Sequence, residues 1–344
     1  MIWRAALGPR VLFALVLGIG AGALAFGVKM PLPWMLGPMI CLTVAALAGL
    51  PVEGPVRIRP FVIPVIGVLL GSSLTPEVAA AVPRWTTTML LLPAFLAAAA
   101  ALSYLLYRRV GGLDHATAYY AAMPGGLNEM ILLGHAAGGD ERRIAMAHAC
   151  RILIVILCVS LFFGFVLGVR TAGGRSWVPL DALGWRDWLL MGAAGVIGVP
   201  LGARLRLPAS QLLGPMVLSG LAHATGLVHV PPPTLIVIAA QVVIGTTIGC
   251  RFAGIAPRLI ARDMGLALLS STSMIAVAVA FAALVHWWTG LPMAQAFLAY
   301  SPGGLAEMSL LALALHQDVA YVAVTHVVRI VLVVAGAAAV FRRV

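Results

Sequence analysis

From Val11 to Val28 the chain runs without a single charged residue, and comparable apolar segments return along its whole length, separated only by short gaps. An α-helix needs ~20 apolar residues to cross ~30 Å of hydrocarbon. A backbone in lipid must also satisfy its own hydrogen bonds, which restricts spanning structures to helices and closed barrels. These segments are continuously apolar rather than alternating, so helices are the reading. The composition agrees: 62% of residues are hydrophobic, 10% are charged and the mean hydropathy is +1.05. Soluble domains are about half apolar and about a quarter charged. The expected fold class is therefore an all-α polytopic membrane protein.

A net charge of +11 could suit a nucleic-acid partner, but the basic residues come in ones and twos between apolar runs. That distribution suits membrane loops and excludes a basic binding face, so the lipid bilayer is the expected partner and nucleic acid is not. Arg4 and Arg10 ahead of the first apolar run resemble a signal peptide, although so many further segments favour an uncleaved first span. Cys41, Cys150, Cys158 and Cys250 all fall in apolar segments without a CxxC pair and read as buried thiols.

The chain repeats itself. "PGGLNEM" at 124–130 returns as "PGGLAEM" at 302–308, and at the same offset Asp140 aligns with Asp318, His148 with His326 and Arg151 with Arg329. Upstream, "LGPM" at 36–39 recurs at 213–216, and "IGVLLG" at 66–71 recurs as "IGTTIG" at 244–249. Blocks in one order at nearly one offset mark a duplication. It gives a membrane repeat over 1–170, a connecting loop over 171–186 and a second repeat over 187–344. The two small-xxx-small blocks predict close helix packing.

Six apolar segments lie in each half, and the fifth contains the Pro-Gly-Gly. If that segment crosses the membrane, alternating loops carry 11 basic residues on one side and 9 on the other. If it dips in and returns, the N-terminal side collects 15, and only Lys29, Arg84, Arg170, Arg175 and Arg186 remain opposite. Positive-inside bias favours the dip and cytoplasmic termini. About ten transmembrane helices plus two re-entrant segments then form two inverted repeats, since an odd number of spans per half reverses the second. Inverted repeats with interrupted helices near the midplane are a recurrent transporter design.

Proline removes a backbone donor and paired glycines tolerate unusual dihedrals, so Pro124, Gly125 and Gly126, and likewise Pro302, Gly303 and Gly304, should each end one half-helix and start another. The half-helix starting near Leu127 would aim free N–H groups at a cavity, with Asn128 and Glu129 in its first turn and Glu307 in the equivalent place. This is the expected substrate- or ion-binding region. Arg151 and Arg329 lie inside the last span of each half, where an unpaired arginine costs at least ~2.5 kcal/mol. Pairing with Glu129 and Glu307 is the simplest neutralisation, and contact with an anionic solute is the alternative. His148 and His326 share the arginines' helix faces and read either as satisfied core imidazoles or as coupling groups. Trp3, Trp34, Trp85, Trp177, Trp185, Trp188, Trp287 and Trp288 sit near segment ends, as an interfacial belt would.

No phosphate-binding loop, HExxH or GxSxG occurs, and none of the eight histidines forms a close pair at helical ligand spacing. No metal, cofactor or catalytic residue is therefore expected.

The doubled Pro-Gly-Gly-Leu-x-Glu-Met, each copy followed by His-x-x-Arg and preceded by Leu-Gly-Pro-Met, resembles the AbrB family of duplicated membrane proteins over essentially the whole chain. That resemblance implies a bacterial inner-membrane protein of transport role, for which labels of ammonia monooxygenase and gene-expression regulator are also in use. The expectation is a secondary transporter of a small anionic organic solute, proton- or ion-coupled, with a midplane site between the breaks and scope for homo-oligomers. A membrane sensor acting indirectly on gene expression is the alternative, and an oxidase is disfavoured.

Overall fold

In a computed structural model the chain is described over residues 8–74, 85–166, 177–254 and 257–341, with side chains throughout except at 165–166 and 257–261. Trp3, Arg4, Arg84, Arg170, Arg175, Arg342, Arg343, the Arg258 side chain and the loop as far as residue 176 lie outside the described residues.

The N-terminal half contains α1 (Pro9–Gly27), α2 (Pro33–Leu47), α3 (Arg59–Gly71), α4 (Leu92–Leu105), α5 (His115–Ala122), α6 (Leu127–Ala136) and α7 (Glu141–Leu161). The second contains α8 (Trp185–Arg204), α9 (Ser210–Ala224), α10 (Thr234–Gly249), α11 (Pro257–Thr289), α12 (Met293–Tyr300), α13 (Leu305–Ala314) and α14 (Val319–Phe341). No β-strand occurs among the described residues. Prolines in the first turns of α1 to α4 set where those helices begin, because their missing N–H would have no helical partner there.

Among the described residues six stretches are long and apolar enough to cross a membrane: Pro9–Gly27, Trp85–Val110, Glu141–Gly164, Thr234–Phe252, Arg262–Thr289 and Val319–Phe341. The other expected spans are not full ones by this measure. α2 and α9 have 15 residues and α3 has 13, each too short to cross ~30 Å upright. α8 has 20 residues but carries Arg186, Asp187 and Arg204 at its ends.

The chain forms two compact units, and each draws on both repeats. One comprises residues 1–78, 159–255 and 313–319, and so contains α1–α3 and α8–α10. Its core is where the small-xxx-small blocks act, and they act reciprocally. A Cβ on Gly67 or Gly71 of α3 would strike the Leu212 or Met216 carbonyl of α9. A Cβ on Gly245 of α10 would strike the Met35 carbonyl of α2, and one on Gly249 would lie 2.7 Å from the Met39 carbonyl. Each repeat thus lends a glycine ridge to the other's "LGPM" helix, the close approach that small residues permit.

The other unit comprises residues 79–158, 256–312 and 320–344 and holds the broken helices. Its interior includes Phe95, Tyr300 and Tyr321, all fully buried. Both tyrosine hydroxyls donate to Thr88, Tyr300 to its carbonyl and Tyr321 to its Oγ1 at 2.9 Å. Trp85 packs on Tyr321 and is buried, so it is not part of an interfacial belt, whereas Trp185, Trp188, Trp287 and Trp288 are exposed at helix ends. Among the cysteines, Cys150 and Cys250 are buried but Cys158 is exposed on an apolar helix, contrary to the expectation of buried thiols throughout.

Candidate functional site

The first Pro-Gly-Gly ends α5 at Ala122 and starts α6 at Leu127, as the sequence predicts. The two half-helices fold back on each other. Thr117 at the start of α5 accepts a hydrogen bond from the Asp140 backbone N–H, 2.7 Å away, just beyond α6. A Cβ on Gly134 of α6 would meet Tyr120 of α5 at 3.3 Å. The segment therefore leaves and returns at one place, a helical hairpin with its break at the tip. Asp114 caps α5 by accepting from the Thr117 N–H at 2.9 Å, so Thr117 fixes both ends of the hairpin.

Proline determines what happens at the tip. In a continuing helix the Tyr120 carbonyl would accept from the N–H four residues on, but that residue is Pro124 and has none. The donor comes instead from α7: His148 Nε2 lies 2.9 Å from the Tyr120 carbonyl. The Leu298 carbonyl likewise loses its donor to Pro302, and His326 Nε2 lies 3.0 Å from it. Both imidazoles are completely buried. Each substitutes for a missing backbone N–H.

The arginines complete the same task. Arg151 donates to the Met123 carbonyl at 2.9 Å and to His148 Nδ1 at 2.9 Å. Arg329 donates to the Ser301 carbonyl at 2.5 Å and to the Gly303 carbonyl at 2.7 Å. They lie where the negative ends of α5 and α12 leave carbonyls without helical donors. Because His148 Nδ1 receives the guanidinium, Nε2 carries the imidazole's proton and the ring is neutral. His326 holds its carbonyl without an arginine on Nδ1, and Arg329 binds a second carbonyl instead.

The expected Glu–Arg pairs are not formed. Among the described residues neither Glu129 nor Glu307 is within ion-pair distance of Arg151 or Arg329. Each carboxylate instead folds back over the residue before its own helix, Glu129 onto Gly126 and Glu307 onto Gly304, filling the space a Cβ would need there. A glutamate three places into a helix that reaches back to its N-cap is a capping arrangement, favoured by the positive helix end. A Cβ at the second glycine of each motif would have to displace that carboxylate. Glu129 and Asn128 are exposed, whereas Glu307 is 8% exposed, so the two copies differ in access.

Arg151 and Arg329 are 5% and 4% exposed, their guanidiniums lie within electrostatic range of each other, and each retains a buried Nε–H without a partner. The first break also packs on α14, since a Cβ on Gly125 would lie 2.6 Å from Val333. Two cations, two carboxylates and four half-helix ends thus occur in one unit. Among the described residues no three His, Cys, Asp or Glu side chains gather as metal ligands would.

The sequence singled out the Pro-Gly-Gly, glutamate, histidine and arginine positions but paired them differently, and it gave no sign of Thr117 or Asp114. The offset from proline to histidine is 24 and from proline to arginine 27 in both repeats, a signal that the later groups serve the carbonyls proline leaves free.

These features define a class: an all-helical protein of membrane type, built around paired Pro-Gly-Gly breaks whose freed backbone is bound by buried histidine and arginine. The chain belongs to the AbrB family, whose model, described as "Transition state regulatory protein AbrB", matches residues 34–344. It is similar to "Putative regulator AbrB" of Escherichia coli (strain K12), with 24% identity over 94% of this chain and 92% of that protein. It is also similar to "Uncharacterized protein YhjN" of Bacillus subtilis (strain 168), with 26% identity over 79% of this chain and 74% of that protein.

Proposed function

We propose that the protein is a secondary transporter of a small anionic organic solute, coupled to protons or another ion, in the bacterial inner membrane with both termini cytoplasmic. The solute site is at the two Pro-Gly-Gly breaks, within two inverted repeats that each contain one dip. One observation carries the reading: two buried guanidiniums beside the breaks are bound to carbonyls and an imidazole, and among the described residues no carboxylate pairs with either. Uncompensated positive charge in a low-dielectric setting attracts an anion, and the exposed N-terminal end of α6 adds to it. Glu129 and Glu307 are the coupling groups, because each can exchange a proton or cation while remaining at its helix start. His148 and His326 are assigned to the scaffold, since their imidazoles are committed to carbonyls. No catalytic chemistry is assigned.

Uptake of a panel of carboxylates into proteoliposomes, with and without a proton gradient, tests the reading. Glu129→Gln with Glu307→Gln keeps the shape of both caps and should reduce gradient-dependent uptake at least tenfold. Unchanged uptake would refute the assigned roles. A second reading, a membrane regulator, is favoured by the name of the Escherichia coli relative. Under it, the wild-type protein would take up no member of the panel.

A further inference from the structure

The unit containing α1–α3 and α8–α10 has a feature that solute transport does not use. A cavity of about 560 Å³ opens on its surface between α3 and α8. Its walls are almost wholly apolar: Pro60 and Pro64 line one side, and Gly192, Gly195 and Val199 the other. Proline and glycine produce the gap. Pro64 Cβ is 4.0 Å from where a Gly195 Cβ would be, and a Cβ on Gly192 would meet nothing within 4 Å. Trp188 lies toward one end, 40% exposed.

Beyond the opposite end the chain carries two arginines that flank the lining without forming part of it. Arg59 opens α3 one residue before Pro60, and Arg204 closes α8 five residues after Val199, so both belong to the end that Pro60 and Val199 mark. Neither forms an ion pair among the described residues. Glu53 is the one acid in the loop leading into α3. The loop-charge count independently assigns Arg59 and Arg204 to one membrane face, the basic one. An apolar slot along two membrane helices with a cationic mouth at the interface complements a chain-bearing anion, because acyl methylenes fill the gap and guanidiniums meet the headgroup.

We propose that this groove is a binding site for an anionic phospholipid of the bilayer, with an acyl chain lying over Gly192 and Gly195 and the headgroup held by Arg59 and Arg204. Native mass spectrometry of the full chain in mild detergent, titrated with phosphatidylglycerol or phosphatidylcholine, tests it. Wild type should bind phosphatidylglycerol preferentially, by about fivefold for each arginine. Arg59→Gln with Arg204→Gln should remove the preference and retain chain binding. Gly192→Leu places a side chain in open space on a helix that tolerates it, and should abolish binding of both lipids while the protein stays monodisperse and helical. Equal affinity for the two lipids in wild type would overturn the proposal, as would undiminished binding in Gly192→Leu. A shift from dimer to monomer in that variant would overturn it in favour of a second copy of the chain. Should Gly192→Leu fail to fold, the headgroup preference of the double arginine variant decides.

Discussion

At the scale of single residues, the chemistry of the break is a substitution of donors. Pro124 removes an N–H from the Tyr120 carbonyl, and His148 supplies another from a different helix. Deleting a buried group and orphaning its partner typically costs ~2–4 kcal/mol. His148→Ala should therefore lower thermal stability in detergent markedly. Pro124→Ala restores the backbone donor, so the penalty of His148→Ala should fall by about 1 kcal/mol in that background. Strict additivity of the two changes would contradict the donor-substitution account. The sequence made these residues conspicuous through duplication and burial in apolar segments. It could not show their partners, because an intramembrane arginine is satisfied as well by carbonyls as by a carboxylate. Glu129 and Glu307 looked like counter-ions on charge alone, yet the nearer positive end for each is its own helix start.

At the scale of elements, the glycine ridges and the hairpin had different legibility. "IGVLLG" and "IGTTIG" announced close packing by their spacing, and the structure supplies the partner: α9 for the first and α2 for the second. Gly67→Val and Gly245→Val each drive a branched side chain into a facing carbonyl, so each should destabilise by ~1–3 kcal/mol, read as a lower melting temperature. A glycine with open space at its Cβ, such as Gly20, should tolerate valine far better, and equal losses at Gly20 and Gly67 would remove the packing argument. Short helices were legible as well: the apolar segments at 35–50 and 61–76 fall below the ~20 residues an upright span needs, and α2 and α3 have 15 and 13 residues.

At the scale of the whole molecule, the duplication read from sequence and the compact units cut the chain differently. Each unit takes its helices from both repeats, and the reciprocal glycine contacts show why: one repeat alone would leave its ridge without a partner. Burial is therefore completed by the other copy. Topology is the remaining consequence that a measurement can reach. The bond from the Asp140 N–H to Thr117 ties the end of the first broken segment to its start, and the loop-charge count favours a dip. Arg109 before the hairpin and Arg142 after it are both exposed, and Arg186 is exposed ahead of α8. In a background with the four native cysteines replaced by alanine, Arg109→Cys and Arg142→Cys should react with an impermeant maleimide from one membrane face. Arg186→Cys should react from the other, because the single span of α7 separates it from Arg142. Labelling of Arg109→Cys and Arg142→Cys from opposite faces would mean that the segment crosses, and would undo the inversion of the repeats on which the transporter reading relies.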